Sequence, residues 1–178
     1  MKPKALILVF IIVVGIIVAV ITIKPPAQSP KTALVGSITH DFELLDPNGY
    51  KISLSDMKGS VVFINFWATW CASCIEEMPS IERMFRNLSD KTSFKVVTIL
   101  YKDDLRQALG FMKQNGYTFP VFLNPDESAA KIFGITGIPE TFVIDKNGLL
   151  RNKVIGPAEW DSPRALETVQ TLINESPH

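Results

Sequence analysis

Val61-Val62-Phe63-Ile64-Asn65-Phe66-Trp67 runs without a charge into Ala68-Thr69-Trp70-Cys71-Ala72-Ser73-Cys74. The first seven residues are too apolar for a strand with one wet face and read as a central strand covered on both sides. Beyond Cys71 the apolar residues switch to helical spacing, which continues to about Leu88. The junction places Cys71 at a helix N-terminus and Cys74 one turn inside. Unsatisfied N–H groups there stabilise a thiolate, so the Cys71 thiol should be more acidic than usual, and Cys74 more buried and more basic. That asymmetry suits thiol exchange, with Cys71 attacking a substrate disulfide and Cys74 resolving the mixed disulfide.

Two blander readings compete. A disulfide closing so short a loop restrains the unfolded chain little, by roughly 2 kcal/mol, so a structural staple is a weak explanation. A metal site needs two more ligands, and the only histidines, His40 and His178, lie towards the two ends of the folded part. No metal and no cofactor are therefore expected.

Working outward, 41–45 and 50–54 flank Asp46-Pro47-Asn48-Gly49, a turn signal that predicts an N-terminal hairpin. Strands are predicted at 94–100, 120–123, 141–144 and 149–155, with helical stretches at 104–115, 128–133 and 162–174. Alternating β and α units that end in a hairpin and a helix imply an α/β fold with a mixed sheet and helices on both faces. On a helical wheel of about 100° per residue, Met78, Ile81, Met84, Phe85 and Leu88 share the face of Cys74. Glu77 falls inside that face and Glu76 opposite it. Glu77 is thus the candidate acid–base group, a carboxylate whose pKa burial should raise, one turn from Cys74. Trp70 is expected to shield the disulfide or touch substrate, and Trp67 to sit in the core.

The N-terminal part is different in kind. Ala5 to Ile23 carries no charge over 19 residues, about 28 Å as a helix, close to the ~30 Å bilayer core. No good cleavage site follows, so an uncleaved single-pass anchor at 5–23 is expected, with 1–4 cytoplasmic and 24–36 a Pro-containing linker. Lys2 and Lys4 before the span give a weak positive-inside bias that puts residues 37–178 outside the cytoplasm. From Thr32 onward 14 Lys plus Arg face 18 Asp plus Glu, and this net charge near −4 argues against a nucleic-acid partner.

Phe66-Trp67-Ala68-Thr69-Trp70-Cys71-Ala72-Ser73-Cys74, then Glu76-Glu77-Met78-Pro79, then Gly137-Ile138-Pro139-Glu140-Thr141-Phe142-Val143-Ile144-Asp145, resembles the thioredoxin superfamily. More narrowly it resembles the membrane-anchored TlpA-like and ResA-like thiol-disulfide oxidoreductases, including the cytochrome c maturation thioredoxins of CcmG/DsbE type. The resemblance implies a thioredoxin fold with an N-terminal hairpin and an αβ insertion within Lys102 to Phe133. It implies a cis bond before Pro139 and makes Ile138 a docking edge for an extended substrate. It also supports Glu77, since relatives carry a Glu at this spacing, whereas thioredoxin's buried Asp six residues before the first Cys is Asn65 here.

The implied partners are protein disulfides, an apocytochrome c haem site among them, and a membrane thiol donor that re-reduces the pair. Ala72-Ser73 adds no charge or proline between the cysteines, which favours a reductant. Glu140 is expected at the rim of the docking edge, where it would attract the histidine of a Cys-x-x-Cys-His site. Two rivals remain. Peroxiredoxins place a Thr three residues before their reactive Cys, and that position is Ala68, with Thr69 out of register. A non-enzymatic metal- or protein-binding module is the other, but a copper chaperone of this fold wants wider-spaced cysteines and a distant His.

Overall fold

A computed structural model describes residues 12–14 and 32–176. Residues 12–14 are helical, and the expected anchor at 5–23 otherwise lies outside the described residues. Among the described residues no helix is long and apolar enough to cross a membrane.

Seven strands form one mixed sheet in the order β2-β1-β5-β4-β3-β6-β7. They are β1 Glu43–Leu45, β2 Lys51–Ser53, β3 Val61–Trp67, β4 Phe94–Leu100, β5 Val121–Leu123, β6 Glu140–Ile144 and β7 Leu150–Ile155. The helices are α1 Ala72–Leu88, α2 Leu105–Asn115, α3 Ser128–Phe133 and α4 Pro163–Asn174. Strand β3 is buried along its whole length, parallel to β4 and antiparallel to β6. Its alternating side chains feed two cores. Val61, Phe63 and Trp67 meet α1, α2 and α4 on one face. Val62, Ile64 and Phe66 meet the N-terminal hairpin and α3 on the other. A continuous apolar run is what a strand with two dry faces requires.

The hairpin turn is tied by Asp46 Oδ1, which accepts from the Asn48 and Tyr50 amides at 2.8 Å each, and Gly49 takes the left-handed φ of 86°. Through β1 the hairpin joins β5, the strand of the insertion. Helix α2 begins at Asp104, whose carboxylate accepts from the Gln107 amide, and stops at Gly116 with φ 69°. A 3-10 turn at Leu54–Met57, absent from the sequence-based expectation, is held by Asp56 accepting from the Ser53 amide and Asp41 from the Ser55 amide. The compact unit also starts at Thr32, inside the span expected to be linker. Backbone bonds from Ala33 to Ile132 and from Gly36 to Leu150 stitch this segment on, contacts that proline and polarity counts do not reveal.

Candidate active site

Cys71 is the N-cap of α1, with extended φ and ψ of −95° and 102°, and its Sγ accepts from the Cys74 amide at 3.2 Å. The two cysteines are joined as a disulfide. Cys71 keeps 7 % of its surface exposed and Cys74 none, the asymmetry expected from a helix that enters the core after its first turn. The Ile138–Pro139 bond is cis, and the Ile138 carbonyl oxygen lies 3.6 Å from Cys71 Sγ. Two distant segments therefore meet at one sulfur: the strand-to-helix junction and the loop entering β6.

Trp70 is 59 % exposed beside the disulfide. Its indole N–H donates to the Lys102 carbonyl at 3.2 Å, and Asp103 Oδ2 accepts from the Thr69 amide and hydroxyl at 2.6 and 2.7 Å. Lys102 bends the chain through a φ of 50°, unusual for a residue with a Cβ, and so turns its carbonyl to the indole and Asp103 to Thr69. The start of the insertion thereby holds the residues before Cys71. Thr69's hydroxyl is committed to this contact, and the position three residues before Cys71 is the buried Ala68.

Glu77 is 2 % exposed on the face of α1 that carries Cys74. Oε1 accepts from Asn65 Nδ2 at 2.8 Å; Oε2 accepts from Trp160 Nε1 at 3.0 Å and from the Ala158 amide at 3.1 Å. Burial raises its pKa, and the three donors, led by Trp160, offset only part of that rise. Asn65 also donates to Thr141 Oγ1 at 2.9 Å, which links β3, β6 and α1 around the carboxylate. The helical wheel finds the burial of Glu77 but not its partners. Asn65 is visible in sequence only as the replacement of an acid. Trp160, after β7, carries no local signal at all.

The placement expected of Glu140 is corrected. It is fully buried at the start of β6 rather than exposed at a rim. Oε2 lies 3.0 Å from Lys153 Nζ, and Oε1 accepts from the Thr136 amide at 3.1 Å. A charge two residues beyond Ile138 reads as surface in sequence. Pairing with a lysine from the neighbouring strand is what lets it go inside.

Against this geometry, residues 35–153 match the AhpC/TSA family. The chain belongs to that family. It is 32 % identical over 142 residues to the thiol-disulfide oxidoreductase ResA of Geobacillus kaustophilus, covering 79 % of this chain and 81 % of the relative. To the ResA of Bacillus subtilis it is 34 % identical over 121 residues, 68 % of this chain and 67 % of the relative. A structure named as the thiol:disulfide interchange protein DsbE of Chlorobium tepidum superposes with a TM-score of 0.71 at 28 % identity, covering 80 % of this chain and all of that one. Within the family this chain is a thiol-disulfide oxidoreductase of the ResA and DsbE type, with Cys71 and Cys74 as its pair.

Proposed function

We propose that this oxidoreductase works as a reductant of extracytoplasmic protein disulfides, tethered to the membrane by residues 5–23. The observation that carries the chemistry is the unequal burial of the two sulfurs at the Ile138 edge: Cys71 is reachable where a strand docks and Cys74 is not. In the reduced enzyme the Cys71 thiolate attacks one substrate sulfur, forming a mixed disulfide and expelling the other substrate sulfur as a thiolate that takes a proton. Cys74 then gives its proton to the Glu77 carboxylate and attacks Cys71 Sγ. The Cys71–Cys74 bond forms as the bond from Cys71 to the first substrate sulfur breaks; that sulfur leaves as a thiolate and takes the proton Glu77 received, so the substrate has gained two electrons and two protons. A membrane thiol donor reverses the change in the enzyme. Trp70 and the backbone of Ile138–Pro139 supply the docking edge, along which an extended peptide adds by main-chain bonds.

The reduction potential tests the direction. A value near about −270 mV supports a reductant, and one near about −120 mV makes the protein an oxidant. The 19 uncharged residues of 5–23 and the basic Lys2 and Lys4 before them support an outward-facing domain, periplasmic or on the outer face of the cytoplasmic membrane. Labelling of an engineered surface cysteine with a membrane-impermeant thiol reagent in intact cells checks it; labelling only after lysis refutes the topology. An apocytochrome c haem site, as in cytochrome c maturation, is the proposed substrate. Faster reduction of an oxidised Cys-x-x-Cys-His peptide than of a disulfide peptide of unrelated sequence supports it, and equal rates remove it. Glu140, paired inside the protein, makes no direct contact with the histidine of such a site.

A further inference from the structure

Glu140 poses a problem of its own. Strand β6 alternates: Val143 packs on the α1 side, while Phe142 and Ile144 join the core on the hairpin side. Glu140 shares the parity of Phe142, and so does the Lys153 ammonium, which lies 5.2 Å from the Phe142 ring centre on the paired strand. A carboxylate and an ammonium thus replace apolar packing at the end of a core strand. Such pairs are weak contributors to stability, and well-packed apolar residues often do as well or better. What the apolar residue would lack is an acceptor. Glu140 Oε1 takes the Thr136 amide at 3.1 Å and faces the Thr136 hydroxyl at 3.4 Å, in the loop that runs from the end of α3 to cis-Pro139.

We propose that Glu140, neutralised by Lys153, is a positioning residue: by holding the Thr136 amide from the hairpin side of the sheet, it fixes the loop whose Ile138 carbonyl faces Cys71. The inference rests on the reading of that loop as the docking edge for extended substrates. The far side of the same strand is tied by Thr141 to Asn65 and through it to Glu77. Residues 140 and 141 therefore hold the edge from both faces of the sheet, one through a charge pair and one through neutral hydrogen bonds. Lys153 belongs to the device because it supplies the counter-charge that lets a carboxylate sit at this buried position.

The test compares the full-length protein with Glu140→Ala and with the double variant Glu140→Gln, Lys153→Met. KM and kcat are measured for an extended peptide with an oxidised Cys-x-x-Cys and for a small dialkyl disulfide that does not span the edge. Glu140→Ala should raise KM for the peptide by about tenfold with kcat within about twofold, and the rise for the small disulfide should be much smaller. The double variant keeps a carbonyl acceptor for the Thr136 amide and leaves no unpaired charge, so it should recover most of the peptide KM. An unchanged peptide KM in Glu140→Ala overturns the proposal. Equal losses on both substrates also overturn it, since that is the mark of general destabilisation. A double variant as impaired as Glu140→Ala would show that the charge itself matters, not the loop contact. If the wild-type KM for the peptide is no lower than for the small disulfide, the docking-edge reading fails first, and the positioning role falls with it.

Discussion

Helix α1 buries two carboxylates five residues apart, and their surroundings push them in opposite directions. Glu77, beside the cysteines, meets only neutral donors, and burial leaves its pKa raised. Glu82, at the insertion, would be raised by burial too, but the Thr118 amide and hydroxyl, Arg86 and the Phe119 amide together outweigh it and hold the pKa below the ordinary carboxylate range. The distances match: Thr118 N and Oγ1 each lie 2.7 Å from a Glu82 oxygen, and Arg86 Nε lies 2.6 Å away. Burial alone therefore does not decide what a carboxylate is for. Neutral donors near the sulfurs leave Glu77 more basic than an ordinary carboxylate and so better able to take a thiol's proton, whereas a charged and denser donor set makes Glu82 a fixed anion that ties α1 to the segment leading into β5.

The largest effect expected is at the sulfurs. Cys74→Ser should abolish turnover and accumulate mixed disulfides on Cys71, seen as a mass shift or a trapped band. In that background Glu77→Gln should leave the rate of mixed-disulfide formation unchanged, because the proton it takes is that of Cys74. Trapping by Cys71→Ser instead reverses the roles. A Glu77 effect that persists without Cys74 breaks the link between the carboxylate and the resolving thiol.

With both cysteines present, Glu77→Gln should lower turnover by about 100-fold, the lower end of what proton transfer contributes. It should also erase an inflection in the pH–rate profile that lies above the usual carboxylate range, while Glu82→Gln leaves that profile in place. Identical profiles for wild type and Glu77→Gln would assign the proton to another group and remove the functional half of the comparison.

The two carboxylates also show what the sequence makes legible. The boundaries of β3, β4, α1 and α3 lie where the sequence pattern puts them, because long apolar runs and helical spacing are local signals. The burial of Glu77 was readable for the same reason, being a matter of angle on a single helix. Glu82 lies off the apolar arc of α1, so its angle on the helix does not mark it as buried. What buries it is the Thr118–Phe119 segment, contributed from more than thirty residues away. Glu140 fails the same way, since Lys153 comes from the next strand, as do Trp160 and the 3-10 turn at Leu54–Met57. Periodicity shows which face is inside. It does not show which distant donor makes a charge tolerable there.

Stability should separate the pair by sign. Glu82 has a depressed folded pKa, so its contribution is present above the unfolded value of about 4.3 and is lost as pH falls through the folded value. Glu82→Gln should therefore cost about 1 to 3 kcal/mol at pH 7, the range for losing charged hydrogen bonds in a buried site, with the difference shrinking below about pH 4. Glu77 has a raised folded pKa, so its contribution is present below about 4.3 and is lost as pH rises through the folded value. Glu77→Gln should be at least as stable as the wild type at pH 7 while being slower. Denaturant unfolding at pH 7 and at pH 4 measures both, and a Glu77→Gln variant that is less stable at pH 7 contradicts the reading of Glu77 as a carboxylate kept for function.

The smallest effect tests which of Glu82's donors matters. Arg86 stands four residues on, with its side chain 61 % exposed, and it also donates to the Gly116 carbonyl at 3.1 Å. An exposed arginine is screened by water and pays side-chain entropy to hold its position, so pairs of this kind contribute roughly 0.3 to 0.5 kcal/mol. The amides of Thr118 and Phe119 are fixed by the backbone, lose no rotamer freedom and reach Glu82 where water is excluded. They should therefore provide most of the stabilisation of the anion. Arg86→Gln should lower stability by no more than about 0.5 kcal/mol, less in high salt, and keep the pH dependence that Glu82→Gln removes. A loss as large as that of Glu82→Gln would mean that the cation, not the amides, makes Glu82 a fixed anion, and would redraw the contrast with Glu77 as one between a paired and an unpaired charge.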